Sequence, residues 1–222
     1  MRVPERLTWE EAAAIPSSFI TAYEAVVRYG KLRAGESVLI AGASSGVGMA
    51  SVLTAKVIGA RSLGTSRSAA KLAKLQANGL DVPIQTQAPD FAPAVRAATD
   101  GEGVNLAVNL VGGTVFAEIT RSLAREGRLA IVGYVDGEHH AHIDLNAAHV
   151  NRLQIFGISN VRLKREERAV TTRGFVRDIL PAIADGRITP LIDRVFGFDE
   201  LPAAMAHMDA EKRVGKVVVK VP

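Results

Sequence analysis

The sequence predicts an α/β protein built on a doubly wound parallel sheet. Three observations predict it. Short apolar runs alternate with amphipathic stretches of roughly ten residues, the pattern of βα units with helices on both faces of a parallel sheet. The first run, Val38 to Ala41, breaks into a glycine-rich turn, after which Gly46 and Gly48 open a segment to Ile58 with Val47, Ala50, Leu53 and Val57 at helical spacing. Right-handed crossovers between such units place helices on both sides of the sheet.

Residues 8 to 30 read as two short helices. Thr8 and Glu11 form a capping box before Ala12 to Ile15, Pro16 interrupts, and an amphipathic pattern resumes from Phe19 to Tyr29. Gly35-Glu36 turns the chain into the first strand. Gly59-Ala60 ends the helix that follows, Ser62 to Thr65 is a second strand, and Ser68 to Asn78 is a helix closed by Gly79. Val82 to Thr86 is a third strand and Phe91 to Thr99 a third helix of the alternating series. Val104 to Val111 is a strongly apolar strand, and Gly112-Gly113 turns it into a helix from Val115 to Ala124. Gly127 to Val132 is a fifth strand, ended by Gly133; Asp136 to His149 is polar and loop-like. Leu153 to Ile158 is a sixth strand, and Glu166 to Asp185 a long helix containing Pro181. Past Gly186 come a strand (Ile192 to Phe196), a helix (Glu200 to Met208) and an alternating strand (Lys216 to Val221), a tail that no longer fits the βα rhythm.

Composition narrows the function classes. Apolar residues at 48% and charged residues at 23% suit a globular chain that buries a full core. The absence of cysteine excludes disulfide frameworks, thiolate zinc sites and cysteine nucleophiles. Net charge is +4, but the basic residues are scattered apart from Arg162 to Arg168, and aromatics make up 5%, so no nucleic-acid partner is expected. No apolar run reaches the ~18 residues of a membrane span. The charged, amphipathic N-terminus is unlike a signal peptide, so a cytoplasmic protein is expected.

The glycine turn carries the chemistry. Strand, tight turn and helix open a dinucleotide-binding, Rossmann-type unit, in which the backbone must approach a pyrophosphate closely and the first helix amides face it. The usual Gly-x-Gly-x-x-Gly is spelled here Ala43-Ser44-Ser45-Gly46-Val47-Gly48, with only its last glycine in place. NAD-selective sites carry an acid about 20 positions beyond the loop to accept the ribose hydroxyls. That count from Gly48 lands at Ser66-Arg67, and no Asp or Glu lies between Gly48 and Asp81. Ser66, Arg67 and Lys71 instead offer a hydroxyl and two cations, suited to a 2′-phosphate and hence to NADPH. The competing reading is that Arg67 and Lys71 only solvate a helix start. Asn109 to Gly112 and Gly133-Tyr134 end the fourth and fifth strands, where open α/β sheets place ligands. Tyr134 reads equally as a half-buried loop aromatic. His139, His140 and His142 form the only histidine cluster; their spacing gives no clean pair on one helical face and no carboxylate or cysteine joins them at ligand spacing, so no metal is expected.

In its order of motifs the chain resembles the medium-chain dehydrogenase/reductase superfamily, specifically its zinc-free quinone oxidoreductase branch. The matching residues are Leu7-Thr8 with Glu10 to Ala13, Ile20-Thr21-Ala22-Tyr23, Gly35 to Ile40, the Ala43 to Gly48 hexad, Gly64-Thr65-Ser66 with Lys71, Val111-Gly112-Gly113, Gly127, Val132-Gly133 and Gly215 to Val218. Ala43 fits that branch, and Ser45 departs from it. The resemblance puts a NADPH-phosphate lysine at Lys71, an adenine-side tyrosine where this chain has Thr86, ribose and nicotinamide contacts at Leu110-Val111 and Gly133-Tyr134, and a further nicotinamide contact at Thr21. Where zinc-dependent relatives hold a cysteine ligand, this chain has Ser17.

The implied chemistry is conjugate hydride transfer from NADPH to a quinone or an α,β-unsaturated carbonyl, in which the cofactor carries the reaction. No catalytic side chain stands out. The family's N-terminal GroES-like domain forms half of the cleft, and the chain begins where that domain ends. The expected organisation is a remnant or linker at 1–20, a dinucleotide-binding domain at 21–186, and at 187–222 a return segment of the catalytic domain, whose last helix and strand pack on that domain. The chain is then a fragment or a short form, and a NADPH-binding or oligomerising module without turnover is the alternative. Leu153 to Ile158 corresponds to the family's edge strand, which pairs with its twofold mate, so a homodimer is expected. A short-chain dehydrogenase is the lesser alternative: it needs Tyr-x-x-x-Lys, and four residues after the three tyrosines come Val27, Arg33 and Glu138.

Overall fold

Alternate residues of a strand point to opposite faces of a sheet, and in β1 (Ser37–Ala41) both sets are apolar and buried: Val38 and Ile40 on one side, Leu39 and Ala41 on the other. A strand of that kind needs cover on both faces. The computed structural model, which describes residues 2–210 and 213–222, supplies it. β1 lies inside a six-stranded parallel sheet with β2 (Arg61–Ser66), β3 (Val82–Gln85), β4 (Val104–Asn109), β5 (Leu123–Ile131) and β6 (Gln154–Gly157), in the order β3-β2-β1-β4-β5-β6. The order reverses between β1 and β4, with Leu39 paired to Leu63 on one side and Ala107 on the other.

The helices are α1 (Trp9–Ala14), α2 (Pro16–Tyr23), α3 (Gly46–Ile58), α4 (Ala69–Ala77), α5 (Ala92–Ala97), α6 (Phe116–Ser122), α7 (Leu145–Val150), α8 (Arg165–Asp178), α9 (Leu180–Ala184) and α10 (Leu201–Asp209). Val38, Ile40, Leu106 and Val108 form one core with Phe19 of α2, Met49 of α3 and Phe175 of α8. Leu39, Leu63, Ala107 and Leu129 form the other with Val95 of α5 and Ile119 of α6. The doubly wound, Rossmann-type sheet expected from the sequence is the one observed.

Local signals held where a side chain makes the cap. Glu11 donates its amide to Thr8 Oγ1 at 3.1 Å while its carboxylate accepts from the Thr8 amide at 2.9 Å. Pro16 starts α2, where its missing N–H costs nothing, and the expected Phe19 to Tyr29 stretch passes from α2 into a π-helical turn at Glu24–Arg28.

Four expectations are corrected. Within the polar stretch 136–149, α7 forms because Asp144 caps it, accepting from the Ala147 amide at 2.9 Å; its apolar Leu145 and Val150 are exposed, so no periodicity marked it. The long helix over 166–185 divides into α8 and α9, because Pro181 has no N–H to continue the ladder. The helix over 115–124 stops at Ser122 and β5 starts at Leu123, its pairing with β4 shifting register between Val104 and Leu106. The tail, read as off the βα rhythm, is itself a βαβ unit: β7 (Ile192–Gly197), α10 and β8 (Lys216–Lys220), with β7 and β8 parallel in a separate two-stranded sheet.

Candidate cofactor cleft

A parallel sheet binds ligands outside the carboxyl ends of its strands where the strand order reverses. In this chain β1 runs out there into a tight turn. Gly42 takes φ +87°, a conformation that L side chains rarely adopt, and the Ser45 amide donates to the Gly42 carbonyl at 3.1 Å. Ser45 caps α3, its hydroxyl accepting from the Gly48 amide at 3.0 Å. The amides of Gly46 and Val47, first and second in the helix, precede any intrahelical acceptor. Gly48 is required by packing: a Cβ there would lie 2.4 Å from the Gly42 carbonyl oxygen.

A cleft of about 1090 Å³ opens beside this turn. Gly42, Ser44 and Ser45 form one wall, the segment after β2 (Ser66, Arg67, Ser68, Lys71, Lys74) another, and Leu110, Val111 and Thr114 after β4 a third. The β2 segment is fixed locally: Ser68 caps α4 by accepting from the Lys71 amide at 3.3 Å, and the Arg67 carbonyl accepts from Gln87 Nε2 at 2.9 Å. Among the described residues, the cations Arg67, Lys71, Lys74 and Arg213 and the carboxylates Asp136 and Asp209 line the cleft, and cations in a cleft wall attract an anionic ligand.

A smaller cavity of about 400 Å³ adjoins it, lined by Thr21, Ser45, Val47, Leu110, Gly133, Val135 and Asn160 among others. Thr21 is nearly buried; its hydroxyl donates to the Ser17 carbonyl at 2.9 Å and accepts from Asn160 Nδ2 at 3.2 Å. Asn109, at the end of β4, holds the next turn: its Oδ1 accepts from the amides of Val111 and Gly112, each at 3.0 Å, and its Nδ2 donates to the Gly112 carbonyl at 2.9 Å.

Of the residues singled out in the sequence, Ser44, Ser45, Ser66, Arg67, Lys71, Thr86, Leu110 and Val111 line the larger cleft, and Thr21, Val47 and Gly133 the smaller, shared by Ser45 and Leu110. Three stand apart. Gly48 lies beneath the turn. Gly46 is covered from the tail, where a Cβ would meet Lys216 Cδ at 2.6 Å. Tyr134 turns aside and rests on His139 with ring centroids 4.7 Å apart; its neighbour Val135 lines both cavities instead. The Thr86 hydroxyl is engaged by the Ala88 carbonyl and, at 2.5 Å, by Asp90 Oδ1.

Sequence reasoning missed Asn160, Val135, Asp136 and the tail's share of the cleft. Met208, Asp209, Arg213 and Val214 line the larger cavity, and the Gly215 amide donates to the Ser44 carbonyl at 3.0 Å, so the tail is tied to the glycine turn. Asp193 of β7 fastens it: its carboxylate takes Lys74 Nζ of α4 at 2.7 Å, His207 Nε2 of α10 at 2.7 Å and the Val214 amide at 3.2 Å. Burial pushes the Asp193 carboxyl up, but these hydrogen bonds outweigh it and hold its pKa below the usual range. Asp136 behaves alike, burial opposed by the bonds from Thr114 and the Glu138 amide, with its pKa lowered on balance.

The turn, the helix start and the cationic wall fit a dinucleotide. The donor set does not fit zinc: the chain has no cysteine, and no group of three or more His, Asp or Glu side chains able to hold a metal comes together among the described residues.

Residues 46–173 match the family model of the zinc-binding dehydrogenases. Among curated proteins, a phenolphthiocerol/phthiocerol polyketide synthase polypeptide of Mycobacterium tuberculosis is 31% identical over 220 residues, 99% of this chain and 10% of that protein. Quinone oxidoreductase-like protein 2 of Bos taurus is 29% identical, covering 98% of this chain and 62% of that protein. This chain thus spans about a tenth of the first relative and under two thirds of the second. Among solved structures, an NAD-dependent alcohol dehydrogenase superposes with TM-score 0.86 at 29% identity, covering 100% of this chain and 62% of that one. Mycobacterial Rv1454c complexed with NADPH superposes with TM-score 0.84 at 28% identity, covering 98% and 68%.

Proposed function

The chain belongs to the zinc-binding dehydrogenase family of the medium-chain dehydrogenase/reductase superfamily, and on that premise we propose that it holds NADPH in the cleft and serves hydride transfer to a quinone or an α,β-unsaturated carbonyl. The single observation that carries the cofactor choice is the end of β2. Ser66, Arg67 and Lys71 line the cleft at the position where an NAD-selective site has its acid. A carboxylate there would repel a 2′-phosphate, whereas two cations and a hydroxyl attract it. The NADPH complex of Rv1454c supports the same choice, and the NAD-dependent alcohol dehydrogenase is the precedent for the opposite one.

In this reading the turn at Ser44 and Ser45, with the start and dipole of α3 behind it, receives the pyrophosphate. Leu110 and Val111 give the ribose an apolar floor, and Thr21, Gly133 and Val135 surround the nicotinamide side. The cofactor supplies a hydride when bound. The chain's own residues bind, orient and exclude water; Thr21, oriented by Ser17 and Asn160, presents its hydroxyl to the smaller cavity without acting as an acid. The relative named quinone oxidoreductase-like protein 2 supports the acceptor class.

As a partner we propose a second copy of the chain. β6 is one of the two edges of the sheet, with Ile155 41% exposed, and pairing with its twofold mate would satisfy that edge. No described helix is long and apolar enough to cross a membrane. The test of function is NADPH oxidation by the 222-residue chain against a panel of quinones and enones. Turnover of one class supports the reading; tight NADPH binding with no turnover on any acceptor reduces this chain to a cofactor-binding module.

A further inference from the structure

Two turns meet at the carboxyl end of the sheet, and one carboxylate fastens them together. Asp136 Oδ2 accepts from the Thr114 amide at 3.0 Å and the Thr114 hydroxyl at 2.6 Å, while Oδ1 accepts from the Glu138 amide at 2.9 Å. The Asp136 amide donates to the Val111 carbonyl, and the Gly113 amide to the Glu138 carbonyl, both at 2.9 Å. Gly112 stands between them at φ +134°, and a Cβ there would lie 1.8 Å from Asp136 Oδ1. Glycine at 112 and a carboxylate at 136 are therefore matched. The residue before Asp136 is Val135, whose side chain lines both cavities while being 82% exposed. So exposed a side chain has little packing of its own to hold it; its place is set by the backbone that Asp136 ties down.

We propose that Asp136 is a positioning residue for the nicotinamide half of the cofactor: by binding the turn after β5 to the turn after β4, it holds Gly133 and Val135 as a wall of the smaller cavity. The inference rests on the cofactor reading above. Nothing in it gives Asp136 a proton to move, and its lowered pKa keeps it an acceptor throughout the neutral range.

The test is calorimetric binding of NADPH and of 2′,5′-ADP, which lacks the nicotinamide half, to the 222-residue chain and its Asp136→Ala and Asp136→Asn variants. Asp136→Ala should weaken NADPH about tenfold, the scale of one lost charge-assisted hydrogen bond, and 2′,5′-ADP by less than about twofold. Asp136→Asn, which keeps an acceptor oxygen for Thr114 but turns an amide donor toward the Glu138 amide, should recover only part of the loss. Unchanged NADPH affinity in Asp136→Ala, or equal weakening of both ligands, overturns the proposal. Failure of the wild-type chain to bind either ligand instead refutes the cofactor reading. Should Asp136→Ala not fold, Thr114→Val removes one of the three bonds and is read by the same ratio, with a NADPH loss of about threefold expected and an unchanged ratio overturning the proposal.

Discussion

Replacing Gly48 with alanine sets two physical effects against each other. Alanine is the better helix former, and in α3 it would gain at most about 1 kcal/mol. The added methyl, however, would lie 2.4 Å from the Gly42 carbonyl oxygen, 2.7 Å from Ala43 Cα and 2.8 Å from the Ala43 carbonyl carbon. All three are backbone atoms of the turn leaving β1, so no side-chain rotation relieves the contact; helix and strand must separate. Overpacking of this kind costs about 1–3 kcal/mol, and a clash with rigid backbone belongs at the upper end. The net expectation is a loss of about 2 kcal/mol, which at a urea slope of about 3 kcal/mol/M lowers the midpoint by about 0.7 M. Gly157→Ala is the control: nothing lies within 4 Å of its added carbon, and its stability should stay within about 0.5 kcal/mol of wild type. A Gly48→Ala midpoint equal to or above wild type would show that the helix start does not press on the turn, and the close-approach reasoning would fall.

Four further outcomes follow from the same structure. Asp193→Ala should free the tail from α4, costing about 2 kcal/mol locally and raising amide exchange in β7, α10 and β8; exchange unchanged there would contradict the fastening. Because the folded pKa of Asp193 is depressed, its contribution is complete above the unfolded value of about 4 and is lost as pH falls through the folded one, so the tail's protection relative to the intrinsic exchange rate should fall in acid below about pH 4 and not in the neutral range. Tyr23, whose hydroxyl donates to Asp178 Oδ2 at 2.6 Å, is pushed up to about 12 by burial and by that carboxylate. Its bond stabilises fully below the ordinary tyrosine pKa and is lost as pH rises toward 12; Tyr23→Phe should cost about 1 kcal/mol at pH 7, and a neutral result would contradict the bond. Ile155→Lys should convert the proposed dimer to a monomer by light scattering, and a wild-type mass of one chain would reject the dimer outright.

The sheet was legible because its signals are local. β1 and β4 are apolar at their centres (Val38 to Ala41 and Leu106 to Val108), the glycine turn follows β1 directly, and Ser68 and Thr8 announce their helices one residue ahead. Signals that depend on what lies opposite were not legible. α7 has a capping aspartate but an exposed apolar face, so periodicity did not mark it. The division of α8 from α9 was written in Pro181 but was outweighed by the length of the helical pattern around it. In the cleft, the lining residues that spacing pointed to at Ser44, Ser45, Ser66 and Arg67 lie in a turn or at a strand end. Asn160 and Arg213 were missed because they reach the cavities from 139 residues beyond Thr21 and from the tail, separations that no local motif encodes. Tyr134 drew attention as an aromatic at a strand end, yet its ring rests on His139 and the plainer Val135 lines the two cavities.

The central claim is that the cleft between the glycine turn and the end of β2 is built for a 2′-phosphate. The direct measurement is calorimetric titration of the 222-residue chain with NADPH and with NADH, repeated on an Arg67→Ala/Lys71→Ala variant; Trp9, 80% exposed on α1, is poorly placed to report by its emission. Two charge-assisted contacts to the phosphate predict that wild type prefers NADPH at least about tenfold and that the variant's preference falls below about twofold, with NADH affinity unchanged. Equal or tighter binding of NADH by the wild-type chain, or a preference that survives the double substitution, would contradict it.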